Sequence, residues 1–89
     1  MATQDYWVYV LRNAAGKFYI GVTADISKRL EQHNNGESKW TKRHRPWTLA
    51  WTQGPMSLTE ARKMENRLKS QRGGNGFFVL TGLTRSSGS

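Results

Sequence analysis

The segment from Tyr6 to Val22 constrains the fold more than any other part of the chain. Tyr6 to Arg12 and Lys17 to Val22 are both rich in aromatic and β-branched residues, and Asn13-Ala14-Ala15-Gly16 lies between them. Two such runs around a glycine-closed tetrapeptide predict a β-hairpin, with a type I turn and Gly16 in the left-handed region as a bulge. That turn pairs Asn13 with Lys17, and hence Tyr9 with Gly21 and Leu11 with Tyr19. Side chains alternate along a strand, so one face carries Val8, Val10, Phe18, Ile20 and Val22, and the other Trp7, Tyr9, Tyr19 and Gly21. The apolar set must be the core. Both phenols then project from the opposite face, on diagonal positions ~7–8 Å apart at the backbone. A slip of one residue would exchange the two faces, which fixes the register.

Beyond the hairpin, Asp25 predicts the N-cap of a helix running to about Asn34, with Gly36 as its stop. Ile26, Leu30 and His33 recur at helical spacing, and Arg29 and His33, four apart, lie one above the other. Arg45-Pro46 breaks the chain, because proline disfavours helix in the residue before it. Trp47 to Gln53 alternates as a short third strand, ending at Gly54-Pro55. Ser57-Leu58-Thr59-Glu60 is a capping box that opens a second helix, continuing through Lys69 or Arg72 and stopping at Gly73-Gly74. Leu58, Ala61, Met64 and Leu68 form its apolar stripe, and Glu65 falls inside that stripe. A carboxylate there costs several kcal/mol (~2–7 for an unpartnered polar group, more for a charge) unless it is paired or holds a metal. Phe77-Phe78-Val79-Leu80 must be buried, with a last strand and a short helix both open. The elements define one α+β domain over residues 1–83, and the Ser/Gly-rich segment 84–89 is expected to be a disordered tail.

An 89-residue chain of this kind buries only ~60% of its unfolded surface, so large aromatics must carry much of a thin core. The absence of cysteine removes disulfides and thiolate zinc sites from consideration and favours a reducing compartment. Met1 to Asp5 lacks both a basic and an apolar export region, and no apolar run approaches the ~20 residues of a membrane span. These features lead us to expect a soluble cytoplasmic protein with no membrane partner. The formal net charge of +8 is unevenly placed: from Lys39 onward ten basic residues face two acids, Glu60 and Glu65. Within that half, Lys39-Trp40-Thr41-Lys42-Arg43-His44-Arg45 interleaves a tryptophan with cations, a pattern suited to phosphate contacts and base or sugar stacking. Lys39, Trp40, Lys42, Arg43 and Arg45 are therefore the candidate nucleic-acid-binding residues.

Taken in order, these residues resemble the GIY-YIG nuclease domain. Trp7-Val8-Tyr9 stands where that family has Gly-Ile-Tyr, and Tyr19-Ile20-Gly21 matches its second signature unchanged. Arg29 matches the family arginine on the first helix, and His33 the position where members carry His or Tyr. Glu60 to Lys69 is similar to the helix bearing the metal-binding glutamate, with Glu65 at the ligand position. The likeness runs from Tyr6 to Lys69 and is greatest to small single-domain bacterial members, themselves similar to the incision domain of the nucleotide-excision repair endonuclease. It implies a three-stranded antiparallel sheet in β-β-α-β-α order, flanked by helices. There are two departures. Trp7 replaces the glycine that names the first signature, and Val22 stands where some members have a lysine that helps the phenol ionise, leaving that task to a metal or to His33.

The resemblance implies a metal-dependent endonuclease hydrolysing DNA, duplex, branched or damaged, with a role in repair or recombination. Tyr9 would be the general base, Tyr19 would hold water or phosphate, and Arg29 would offer a planar fork to the phosphate oxygens. His33 would complete the catalytic set, and Glu65 would hold one Mg²⁺ or Mn²⁺ with several waters retained. No small-molecule cofactor is expected. A free phenol has a pKa of ~10, so nearby positive charge would have to lower it. The alternative is a non-catalytic nucleic-acid-binding module on the same fold, in which the tyrosines are strand aromatics and Glu65 pairs with Lys69.

Overall fold

The computed structural model describes residues 4–71 and 75–83. The hairpin forms as the sequence predicts, from β1 (Tyr6–Asn13) and β2 (Phe18–Thr23). Tyr9 faces Gly21 and Leu11 faces Tyr19. The turn is closed by the Asn13 amide donating to the Lys17 carbonyl (3.1 Å) and by the Lys17 amide donating to the Asn13 side chain (2.8 Å). Gly16 takes φ 81°, a backbone region costly for any residue with a Cβ.

A third strand, β3 (Trp47–Met56), pairs antiparallel with the other edge of β1, giving the order β2-β1-β3. It runs three residues past the expected end at Gln53. The pairing slips between Tyr6 and Val8, and that irregularity lets an outer strand carry Gly54 and Pro55 without ending. Being central, β1 has four buried residues in succession, Val8 to Leu11, so both faces of the sheet are covered.

The two coverings differ. On the even face Val8 and Val10 pack with Ala61, Leu68 and Phe77, and Phe18, Ile20 and Val22 lie partly buried against them. Ala61 and Leu68 belong to α3 (Leu58–Ser70), opened by Ser57 accepting from the Glu60 amide at 3.2 Å. Met64 follows them into the core, whereas Leu58, in the first turn of the helix, stands 38% exposed and leaves the expected stripe. Phe77 comes from α4 (Asn75–Thr81), which resolves the segment left open by the sequence as a helix. Its ring packs 5.1 Å from that of Phe18, and burying it fully is worth ~1.5–3 kcal/mol.

On the odd face Tyr9, Leu11 and Trp47 form a second cluster, flanked by Tyr19 and Leu30. Its cover is α1 (Ile26–Asn34), capped by Asp25 as expected, and α2 (Lys39–Lys42), a four-residue helix that the sequence did not reveal. Asn34 fixes Trp47 by accepting from its backbone amide (2.7 Å) and donating to its carbonyl (3.0 Å). The Trp47 indole donates to the Thr41 carbonyl at 2.8 Å. The described elements thus run β-β-α-α-β-α-α, the expected α+β order with two short helices added. Among the described residues no helix is long and apolar enough to cross a membrane. Residues 84–89, expected to be a disordered tail, lie outside the described residues.

Candidate active site

The odd face brings the four candidate catalytic residues together. Tyr9 lies on β1 opposite Gly21, and its ring leans over that glycine. A Cβ at Gly21 would sit 2.5 Å from the Tyr9 oxygen and 2.6 Å from Cζ. The glycine of Tyr19-Ile20-Gly21 is therefore what allows the phenol to lie flat across the hairpin. The one-turn spacing of α1 then stacks Arg29 and His33 above it. His33 Nε2 shares a hydrogen bond with the Tyr9 hydroxyl at 3.0 Å, and Arg29 Nε donates to the same oxygen over a longer 3.4 Å. Arg29 Nη1 is held by the Gln32 side chain at 3.0 Å. The Tyr19 ring closes the cluster, 6.3 Å from that of Tyr9 and 4.7 Å from that of His33.

Burial sets the electrostatics. Tyr9 is 2% and His33 1% exposed. Loss of solvent pushes the Tyr9 phenol up to about 12, even though Arg29 pulls it down. Positive charge was expected to lower this group; in the protein alone desolvation outweighs it. His33 is pushed down to about 4, first by burial and then by the Arg29 charge, so its imidazole is neutral at pH 7. Arg29 is raised, chiefly by its hydrogen bond to Tyr9. The resting cluster is thus a neutral phenol, a neutral imidazole and one guanidinium.

Glu65 lies on α3. Its side chain is 14% exposed and pairs with Lys69 Nζ at 3.0 Å, one helical turn along. That pair accounts for how a carboxylate is tolerated on this face. Its charge is nevertheless felt by Tyr9, where it is among the influences that raise the phenol. No group of three or more His, Cys, Asp or Glu side chains able to hold a metal occurs among the described residues. A single hard carboxylate fits a hydrated Mg²⁺ or Mn²⁺, an ion usually held by one or two carboxylates plus substrate phosphate.

The cationic segment lies beside this cluster. Lys39, Trp40, Lys42, Arg43 and Arg45 line a cavity of about 640 Å³. Trp40, 47% exposed, stacks on Tyr19 with centroids 6.0 Å apart, so the groove adjoins the phenols. Arg45 is partly occupied elsewhere: its guanidinium donates to the carbonyls of Lys42 (3.1 Å) and Asn34 (3.3 Å), closing the ends of two helices. Arg45 is accordingly less free to meet a ligand than the charge pattern implies.

The sequence does not single out Thr41. It is fully buried, and its Oγ1 shares a 2.9 Å hydrogen bond with His33 Nδ1. The signal was present but obscured: in a helical register Thr41 points away from Lys39, Lys42 and Arg43, inside a segment read for its charge. The sequence marks Gly21 as part of a signature, and the Tyr9 ring supplies the packing reason for it.

The chain matches the sequence profile of the GIY-YIG catalytic domain family over residues 5–77. It is 37% identical to the UPF0213 protein of Aeromonas hydrophila over 67 residues, covering 74% of this chain and 49% of that protein. It is 38% identical to a UPF0213 protein of Halobacterium salinarum over 63 residues, covering 70% and 82%. With the UPF0213 protein of Streptococcus pneumoniae the identity is 39% over 67 residues, covering 74% and 68%. The chain therefore spans about half the length of the Aeromonas relative, and these names state no activity.

Proposed function

We propose that this chain, which belongs to the GIY-YIG catalytic domain family of nucleases, is a divalent-metal-dependent endonuclease that hydrolyses DNA phosphodiesters. The observation that carries this reading is the convergence of Arg29 and His33 on the buried Tyr9 oxygen. Phosphodiester hydrolysis needs an activated water, neutralised non-bridging oxygens and a stabilised leaving alkoxide. Tyr9 is the base: its oxygen, once ionised, takes the proton from water. Arg29 favours the phenolate and presents its remaining donors to the phosphate. Tyr19 holds the nucleophile or the phosphate beside Tyr9, and His33 Nε2 orients the Tyr9 hydroxyl by hydrogen bonding to it. Glu65 would hold one Mg²⁺ or Mn²⁺, which supplies Lewis-acid neutralisation of the phosphate and positive charge beside the phenol. A buried phenol raised to about 12 requires such added charge before it serves as a base at pH 7.

The groove of Lys39, Trp40, Lys42 and Arg43 binds the DNA backbone next to the cut, with Arg45 as its structural support. We read the substrate as duplex, branched or damaged DNA, and the role as repair or recombination in the cytoplasm. The second reading, a nucleic-acid-binding module without cleavage, is favoured by the same raised phenol.

Glu65→Gln separates the two readings, since it keeps shape and helix propensity while making a poor ligand for a hard cation. Three quantities are compared with wild type: single-turnover cleavage with Mg²⁺ or Mn²⁺, DNA affinity without metal, and melting temperature. Cleavage should be abolished, with affinity equal or tighter and stability changed by only the ~0.2–0.5 kcal/mol of a helix ion pair. A glutamine variant cutting near the wild-type rate would remove the metal assignment.

A further inference from the structure

We propose that Thr41 is a positioning residue: it fixes the tautomer of His33 so that Nε2 faces Tyr9 as a hydrogen-bond acceptor. This rests on the reading of Tyr9 as the base, but the observation behind it is separate. A threonine hydroxyl has one hydrogen and two lone pairs, and a neutral imidazole has one N–H and one bare nitrogen. Thr41 Oγ1 lies 2.9 Å from His33 Nδ1 and 3.4 Å from the Ser38 carbonyl, which can only accept. His33 Nε2 lies 3.0 Å from the Tyr9 hydroxyl, and that oxygen also accepts from Arg29 Nε.

Two arrangements are available, and counting hydrogens separates them. In the first, Thr41 donates to Ser38, His33 Nδ1–H donates to Thr41, and Tyr9 O–H donates to bare Nε2. Every donor has an acceptor and the chain runs in one direction. In the second, Thr41 donates to Nδ1 and Nε2–H donates to Tyr9. The Tyr9 oxygen would then accept from both His33 and Arg29, and its own hydrogen, in a residue 2% exposed, would have none of these groups to bond. A buried hydroxyl without an acceptor costs ~1–3 kcal/mol, enough to select the first arrangement.

Thr41 is itself held rigidly. Its carbonyl accepts from the Trp47 indole at 2.8 Å, tying α2 to β3, and no part of its side chain meets solvent. In this arrangement the Tyr9 hydrogen lies on the side of Nε2, and the lone pairs of its oxygen are left for Arg29 and for the water to be activated.

The test reads the tautomer directly. Protein labelled with ¹⁵N at histidine is examined by long-range ¹H–¹⁵N correlation at pH 7.5, with the His44→Gln variant assigning the two rings. Wild type should show His33 protonated at Nδ1 and bare at Nε2. Thr41→Val keeps the shape and removes the hydroxyl; it should shift the proton toward Nε2 and slow single-turnover cleavage by about tenfold or more. Thr41→Ser should restore both. A wild-type ring protonated at Nε2 overturns the proposal without any variant. So does a valine variant that keeps the wild-type tautomer and rate. The spectrum needs no turnover, so a protein that cuts no DNA would refute the nuclease reading and leave the tautomer question answered on its own terms.

Discussion

Both faces of the sheet hold a buried cluster, but different forces hold them. The buried centre of the even face is apolar, and Val8, Val10, Ala61, Leu68 and Phe77 fill it by shape alone. The odd face is as dry at its centre, yet its contacts are directional: Tyr9 to His33, His33 to Thr41, and Thr41 to Trp47, all between 2.8 and 3.0 Å. Apolar packing tolerates small rearrangements at a graded cost, whereas a polar chain in a dry interior is satisfied or expensive. One 89-residue chain thus carries an apolar core on one side of its sheet and a hydrogen-bonded cluster on the other. The central strand β1 connects them, alternating Val8 and Val10 with Tyr9 and Leu11.

That contrast is broken most forcefully by a matched pair of substitutions. Gly21→Ala places a methyl group where the Tyr9 ring lies, so the ring must move away from His33 and Arg29. We expect cleavage to fall at least a hundredfold, in keeping with the ~10²–10⁴ of general-base catalysis. Leu68→Ala should cost ~2–5 kcal/mol of stability, while the folded fraction cuts at an unchanged rate. Denaturant titration and single-turnover cleavage on both variants decide the point. Equal activity losses would show that the faces are not separable.

A second difference lies in pH. His33 is held at about 4 in the fold against about 6.5 when unfolded, so between these values the unfolded chain binds more protons. Stability should therefore fall as pH drops from about 6.5 toward 4, by up to ~1.4 kcal/mol per pH unit. His33→Phe should flatten that dependence in a series of thermal melts. The even face contains no titratable group in its buried cluster and contributes nothing to the slope.

The smallest effect concerns the groove. Replacing Lys42 and Arg43 with Ala should reduce the slope of log affinity against log salt by ~0.9 for each phosphate that is no longer neutralised. Arg45→Ala should act more on melting temperature than on that slope, because its guanidinium closes α1 and α2. A salt slope unchanged by the double variant would place the DNA elsewhere.

Much of this was legible before the fold was known, and the reasons are local. The Asn13 to Gly16 turn sets the pairing of Tyr9 with Gly21, and a register once set assigns every side chain in the hairpin to a face. Asp25 and Ser57 announce α1 and α3 because caps act within a few residues. What stayed hidden depends on distance or on competing signals. The four-residue α2 is too short to show a period, and its cations draw attention from Thr41. The Thr41 to His33 contact crosses eight positions between separate helices, and nothing in either segment encodes it. Phe77 to Leu80 fits a strand or a helix equally, until packing against Phe18 decides. Gly54-Pro55 looks like an end because proline cannot donate to a ladder, yet a bulged outer strand does not need that donor.

The central claim is that the buried Tyr9 oxygen does the chemistry, and Tyr9→Phe tests it most directly. Phenylalanine keeps the ring over Gly21 and removes only the atom that His33 and Arg29 share. Single-turnover cleavage of duplex and branched DNA with Mg²⁺ or Mn²⁺ should fall ~10²–10⁴-fold, with DNA affinity unchanged. A folded phenylalanine variant that cuts within tenfold of wild type would contradict the account.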